Sequence, residues 1–208
     1  MKNLYIIRHA QTEYNLQGIV QGRRIDADLN ATGRRQAKQF FDHYQHLNID
    51  KIYVSSLKRT LQTVQPFIQN KHIAYEALSG LDEFDWGDLE GKTLNYTANK
   101  HYLNLIEAWK NGCLDAKNQN GESPNEVAIR QKKALQYILS KHDEETVLVC
   151  MHGRAMRLMM CILLNLPYTQ MDTFLHSNTA LYHLQMDKKI IKLITNNATD
   201  HLKIAINQ

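Results

Sequence analysis

The sequence predicts an α/β protein of three layers, α/β/α, with a mostly parallel central sheet and a small helical excursion over one end of it. Three observations lead there. Short apolar runs without polar alternation (LYII, KIYV and VLVCM) read as strands covered on both faces. Each is followed by a longer stretch with apolar residues at helical spacing, the alternation that builds a parallel sheet. Only three prolines and nine glycines occur in 208 residues, too few for an all-β chain with many tight turns.

Taken in order, Leu4 to Ile7 is the first strand. After a loop, Thr32 to Leu47 carries Ala37, Phe40, Phe41, Tyr44 and Leu47 on one helical face, with Asn30 or Thr32 as the cap. Lys51 to Ser55 is the second strand. Leu57, Leu61, Val64 and Ile68 mark the next helix, which Pro66 is expected to kink or shorten. Ile73 to Ala77 is a weak third strand. Thr93 to Cys113 is shallowly helical and leads into the polar stretch Asp115 to Gly121, together an excursion from the core. Ser123-Pro124-Asn125-Glu126 is a capping box with proline at the first helical position, and Val127, Ala134, Leu135, Ile138 and Leu139 continue that helix. Val147 to Met151 is the clearest buried strand, and His152-Gly153 turns it into a helix with Ala155, Leu158, Met159, Ile162 and Leu163 facing inward. Thr179 to Met186 and Ile190 to Thr195, separated by Asp187-Lys188-Lys189, read as a closing hairpin.

Composition narrows the function classes. We read 1–208 as one domain, with about 92–122 as a helical insertion over the pocket. A chain this long buries roughly 70% of its unfolded surface and needs no disulfide or metal staple. Apolar residues make up 43% and charged residues 22%, and 25 Lys+Arg against 21 Asp+Glu give only +4, without a run of like charge. That balance argues against nucleic acid and against an anionic membrane surface, and no apolar stretch approaches the length of a membrane span. Cys113, Cys150 and Cys161 have neither disulfide nor zinc-knuckle spacing. The start, MKNLYIIRHAQTEYN, holds an apolar run too short for a signal peptide, so a cytoplasmic location is expected. Oligomeric state stays open between monomer and homodimer.

In open α/β sheets ligands bind beyond the carboxyl ends of the strands. Past the first strand come Arg8 and His9, past the second Ser55, Ser56 and Arg59, and past VLVCM His152 and Gly153 at a helix start. Fixed cations and free backbone N–H groups converging on one crevice make an anion site. A phosphate monoester carries about −1.5 to −2 charges near neutral pH, which two arginines match.

These residues resemble, in order, the histidine phosphatase superfamily, also called the phosphoglycerate mutase-like family. Its RHGxTxxN signature stands here as Arg8-His9-Ala10-Gln11-Thr12-Glu13-Tyr14-Asn15. The loop QGxxDxxLxxxGxxQA is Gln21-Gly22 through Asp26 or Asp28, Leu29, Gly33, Gln36 and Ala37. SSxxRxxQT is Ser55 to Thr63, the acid loop LxExxxGxxEG is Leu81 to Gly91, a GES box is Gly121-Glu122-Ser123, and HGxxxR is His152 to Arg157.

The resemblance implies a phosphomonoester hydrolase of the phosphatase branch acting on a small phosphorylated metabolite, with no cofactor and no metal. His9 would be the nucleophile that becomes phosphohistidine. Arg8, Arg59 and His152 would bind the equatorial oxygens, with a helix N-terminus beside them. Glu83 would protonate the leaving oxygen and then activate water, giving a rate optimum on the acid side of neutrality. Asn15, Gln21, Gly22, Gly153, Arg24, Arg154 and Asn178 are further candidates for substrate binding. The other histidines are bystanders without ligand spacing. Phosphoglycerate mutase activity is the alternative, although the acid loop Glu83-Phe84-Asp85-Trp86-Gly87 lacks the ERHYG form usual in mutases, and a non-catalytic phospholigand-binding module is a remote one. Two departures stand out. Ala10 replaces the usual glycine after the nucleophile, and Arg154 stands where the family often has a small residue.

Overall fold

A computed structural model describes residues 1–93, 96–188 and 190–203. Strands β1 (Lys2–Arg8), β2 (Lys51–Val54), β3 (Tyr75–Ala77), β4 (Thr146–Met151), β5 (Leu181–Asp187) and β6 (Ile190–Ala198) form one sheet in the order β3-β2-β4-β1-β5-β6. The first four neighbours run parallel, and β5 and β6 add an antiparallel edge. Helices α1 (Glu13–Leu16), α2 (Ala31–Tyr44), α3 (Lys58–Lys71), α4 (Tyr96–Lys110), α5 (Pro124–Ser140) and α6 (Gly153–Leu163) complete the α/β architecture. Two apolar clusters sandwich the sheet: Phe40, Val64 and Phe67 meet Ile7, Ile52 and Val54 in one, while Val127, Ile138, Leu158 and Met159 meet Leu4, Ile6 and Val149 in the other. Strand side chains therefore meet apolar neighbours on both faces, which explains the absence of polar alternation.

Register positions the chemistry. Arg8 pairs with Met151 and Val54 with Cys150, so His9, His152 and Ser55 emerge side by side where the ladders end.

Local rules account for the helix ends. Asn30, rather than Thr32, caps α2 by accepting from Gly33 N at 2.8 Å. That helix stops at Tyr44, three residues before the expected Leu47, whose N–H turns back to Tyr44 O. The α5 capping box is present as expected, Ser123 and Glu126 each bonding the other's backbone N–H. Pro66 does not shorten its helix, because α3 continues to Lys71. Val64 and Phe67 on either side are fully buried in the core, and that packing offsets the hydrogen bond proline cannot donate. The short helix α1 follows the first strand where only a loop was expected; Thr12 and Asn15 form its reciprocal cap.

The closing hairpin begins at Leu181 rather than Thr179, because Thr179 has a left-handed backbone (φ 56°) that cannot join a ladder. Its second strand runs to Ala198, beyond the expected Thr195. Lys189 of the hairpin turn, residues 94–95 of the expected helical excursion and 204–208 of the expected domain lie outside the described residues. No helix among the described residues is long and apolar enough to cross a membrane.

Candidate active site

A cavity of about 210 Å³ opens past the carboxyl ends of β1 and β4, with Arg8, His9, Asn15, Gln21, Glu83, Gly153 and Arg154 in its wall. His9 is buried, and its Nδ1 lies 2.7 Å from its neighbour's carbonyl, Ala10 O. A carbonyl only accepts, so Nδ1 carries the proton and Nε2 keeps a lone pair. Burial, and then the guanidiniums of Arg59 and Arg8, hold the His9 pKa well below that of an ordinary histidine, so the ring is neutral at neutral pH. Ala10 is fully buried, has no left-handed backbone, and donates its N–H to Thr63 Oγ1 at 2.9 Å. Its methyl group is thus accommodated where glycine is usual.

Arg8 donates from Nη1 to His176 O at 2.7 Å, while its buried Nε has no partner among the described residues. Burial lowers its pKa to about 10, leaving it charged. Gly153 permits this approach: a Cβ there would stand 3.3 Å from Arg8 Nε and 3.0 Å from the His176 ring. Gln21 receives a hydrogen bond from Thr12 Oγ1 on Oε1, and its buried Nε2 is likewise without a partner among the described residues. Asn15 uses Oδ1 to accept from Thr12 N and Asn178 Nδ2. The wall thus gathers the side chains of Arg8, Gln21 and Asn15 beside His9.

Several expected residues stand behind the wall. Arg59 is fully buried; Nη1 donates to Ile25 O (2.7 Å), Nη2 to Gly22 O (3.1 Å) and Nε to His152 Nδ1 (3.2 Å). His152 Nδ1 is therefore the acceptor, and Nε2 carries the proton that it donates to Ser55 Oγ at 2.7 Å. The His152 ring lies 5.2 Å from that of His9, and burial followed by Arg59 depresses its pKa strongly. Neither Arg59 nor His152 lines the cavity, because their polar groups are engaged with each other, with Ser55 and with the loop carrying Gly22. Gly22 itself packs against Glu90 and Phe84 O, where a Cβ would come within 2.6 Å, so it supports the loop and does not face the cavity. Asn178 donates to His9 O at 2.9 Å and fixes the His9 backbone from behind. Arg24 is turned away altogether: it pairs with Asp85 at 2.8 Å and donates to Asn120 O.

The acid loop shows why one carboxylate differs from its neighbours. Asp82 accepts from Ser56 N and Oγ and pairs with Arg23, Asp85 accepts from Gly87 N and Arg24, and Glu90 accepts from Trp86 N and Arg24 N. Glu83 alone among them lines the cavity. Its Oε1 accepts from Phe84 N (3.0 Å) and Ala155 N (2.8 Å), and its Oε2 accepts from Arg154 N (3.1 Å). Glu83 therefore caps α6, whose own N-cap, His152, makes no side-chain cap. The N–H groups of Arg154 and Ala155 are consequently taken by Glu83, and Gly153, the first residue of α6, is the part of this helix end whose N–H they leave to the cavity wall.

Other residues of the site carry no sequence signal. Arg130 clamps the acid loop, donating to Gly80 O, Asp82 O and Glu83 O and pairing with Glu122 at 2.9 Å. His176, expected to be a bystander, lines the cavity, with its pKa pushed down to about 3 by burial and then by Arg8, Arg157 and Arg154. Tyr102 and Trp86 close the outer wall, Tyr102 reaching in from α4. Thr179 donates its N–H to Arg8 O, and its Oγ1 meets the buried His201 Nε2 at 2.9 Å, tying the chain behind Arg8 to the carboxyl-terminal segment. Among the described residues no group of His, Cys, Asp and Glu is arranged to hold a metal ion.

The chain is similar to known proteins over most of its length. The chain is 30% identical to phosphoserine phosphatase 1 of Hydrogenobacter thermophilus over 97% of its length and 95% of the relative's. It is 32% identical to a probable phosphoglycerate mutase GpmB of Proteus mirabilis, over 80% of this chain and 77% of that one. A mutant phosphoserine phosphatase from Entamoeba histolytica, solved in complex with phosphoserine, superposes with a TM-score of 0.81 at 27% identity, covering 97% of this chain and 100% of that one. Residues 4–199 match the histidine phosphatase superfamily (branch 1), and the chain belongs to that family.

Proposed function

We propose that the protein hydrolyses small phosphomonoesters through a phosphohistidine on His9. One observation carries the reading: a buried, neutral His9 whose Nδ1–H is held by Ala10 O, so that the Nε2 lone pair shares a cavity with Arg8 and Glu83. In the first half, Nε2 forms a bond to phosphorus as the ester P–O bond breaks, and Glu83 gives its proton to the departing oxygen. Oε1 already accepts two N–H groups and Oε2 only one, so Oε2 is the oxygen that carries that proton. In the second half, Glu83 takes a proton from water as its oxygen attacks phosphorus, the P–N bond breaks, and phosphate leaves. Arg8, Gln21 and Asn15, which line the cavity with His9, bind the phosphoryl oxygens. Arg59 contributes charge from behind, keeping one N–H on each of Nη1 and Nη2 uncommitted. The cavity amounts to about seven waters at liquid volume, which suits a small metabolite.

The test is a panel of phosphomonoesters assayed from pH 5 to 8, with and without 2,3-bisphosphoglycerate. Phosphate release from several esters, indifferent to the bisphosphate, is expected. Isomerisation of 3-phosphoglycerate without net release would establish the mutase alternative.

A further inference from the structure

The leaving-group side of the cavity carries a positive charge that the phosphoryl chemistry does not use. The backbone N–H of Arg154 touches Glu83 Oε2, the oxygen assigned to the departing ester oxygen, so its side chain starts out on that side. The guanidinium is buried, lines the cavity, and donates from Nη2 to Tyr102 Oη at 3.0 Å. Nη1 pairs with Asp172 Oδ1, the same oxygen that Arg157 takes. One carboxylate thus faces two guanidiniums, leaving the cluster a net +1. A surplus buried charge is costly unless a ligand of opposite sign meets it.

The surroundings say what that ligand is. Tyr102 accepts from Arg154 and keeps its own hydrogen for another acceptor. Ile19, Val20 and Trp86 add apolar wall to this cavity of about 210 Å³, a size that suits a short carbon skeleton. A planar fork of N–H groups with a phenol beside it matches a carboxylate.

We propose that Arg154 and Tyr102 form a subsite for a carboxylate on the leaving group, a few bonds from the ester oxygen, making phosphorylated hydroxy acids and amino acids the preferred substrates. The inference rests on the hydrolase reading of the same cavity. It assigns Arg154, the departure from the family pattern, to substrate choice.

Matched pairs of esters test it. O-phosphoserine and O-phosphoethanolamine differ only by the carboxylate, and 3-phosphoglycerate and glycerol 3-phosphate make a second pair. We expect kcat/KM to favour the carboxylate member on the order of 10- to 100-fold, the range of one charge-assisted pair. In Arg154→Met the ratio collapses to within about threefold, whatever happens to the absolute rate. Asp172 keeps Arg157, so this variant leaves no carboxylate unpaired. Tyr102→Phe lowers the ratio severalfold and serves if the first variant fails to fold. A wild-type ratio near one, or a ratio unchanged in both variants, overturns the subsite. Propane-1,3-diol bisphosphate outpacing every carboxylate ester would overturn it in favour of a second phosphate.

Calorimetry on His9→Ala separates this outcome from the fate of the hydrolase reading. Tighter binding of phosphoserine than of phosphoethanolamine, with no ester releasing phosphate in the wild type, would keep the subsite and reject the hydrolase. Equal release from both members of each pair does the reverse.

Discussion

At the amino end of the strands a concavity of about 610 Å³ is lined by Met1, Lys2, Leu139, Lys141, His142, Glu144, Glu145, Met186, Lys188 and Ile191. At the carboxyl end the cavity beside His9 is a third of that size. The larger one has a buried cation too, but Lys2 Nζ donates to Ile138 O and Lys141 O, both at 2.8 Å, and closes the last turn of α5. In the smaller one Arg8 Nε and Gln21 Nε2 have no partner among the described residues. Volume alone therefore does not pick out the site; what differs is whether the cation on the wall is fully taken by the fold. The parallel strands explain the asymmetry, since the segments after β1, β2 and β4 meet at one end and bring their polar residues together.

The sharpest way to break the comparison is at the carboxyl end. Glu83→Gln keeps the side chain's size and the bond from Ala155 N, loses the one from Arg154 N and removes the exchangeable proton, and kcat for esters with poor leaving groups should fall about 10²- to 10⁴-fold. An ester with a good leaving group, such as p-nitrophenyl phosphate, loses less in the first half-reaction. Equal loss for both would remove Glu83 from the proton-donor role. A smaller effect is expected at Arg130→Met, which frees the acid loop without touching the cavity: kcat falls on the order of 10- to 100-fold, as for a misplaced catalytic group, while phosphate binding barely changes. Unchanged kcat would mean that Glu122 and Arg23 hold the loop alone.

Much of this end was legible in the sequence. The strand runs put Arg8 and His9 at a strand end, the capping box placed a helix start, and the resemblance of the ordered motifs to a family pointed to Glu83. Arg130 was not legible as a clamp on the acid loop, since the three loop carbonyls it holds lie some 50 positions away and no side-chain pattern records them. The placement of Arg59 and His152 behind the wall also escaped reading, because it follows from which backbone oxygens happen to lie near each nitrogen. Pro66 and Thr179 show tertiary packing overriding local preference, the first by continuing a helix, the second by taking a left-handed backbone.

Acid stability sharpens the comparison further. His9, His152, His176 and His201 all have pKa values depressed, chiefly by burial. The unfolded chain takes up protons at these histidines around pH 6.5, whereas the folded chain does so only near 4 at His201, near 3 at His176 and well below 6.5 at the other two. Stability therefore falls as pH drops below 6.5, each group adding up to about 1.4 kcal/mol per pH unit. Urea midpoints at pH 7, 6 and 5 should decline steeply, and a flat series would mean that these rings charge in the fold. For the same reason, kcat/KM of protein that is still folded should show no acid limb with a midpoint at 6.5.

The smallest effect on activity belongs to the amino end. Lys2→Met removes two hydrogen bonds and should cost about 1–2 kcal/mol of stability, read as a lower urea midpoint, with kcat/KM unchanged. A large loss of activity would show that the two ends are coupled.

The proposed reaction puts the phosphoryl group on His9 Nε2. Rapid acid-free quenching during turnover of a ³²P-labelled monoester, followed by peptide mapping, tests it directly. The account predicts label on the peptide containing His9, lost in acid, stable in base, and missing from His9→Ala. Label that persists in His9→Ala, or that maps to another residue, would contradict it.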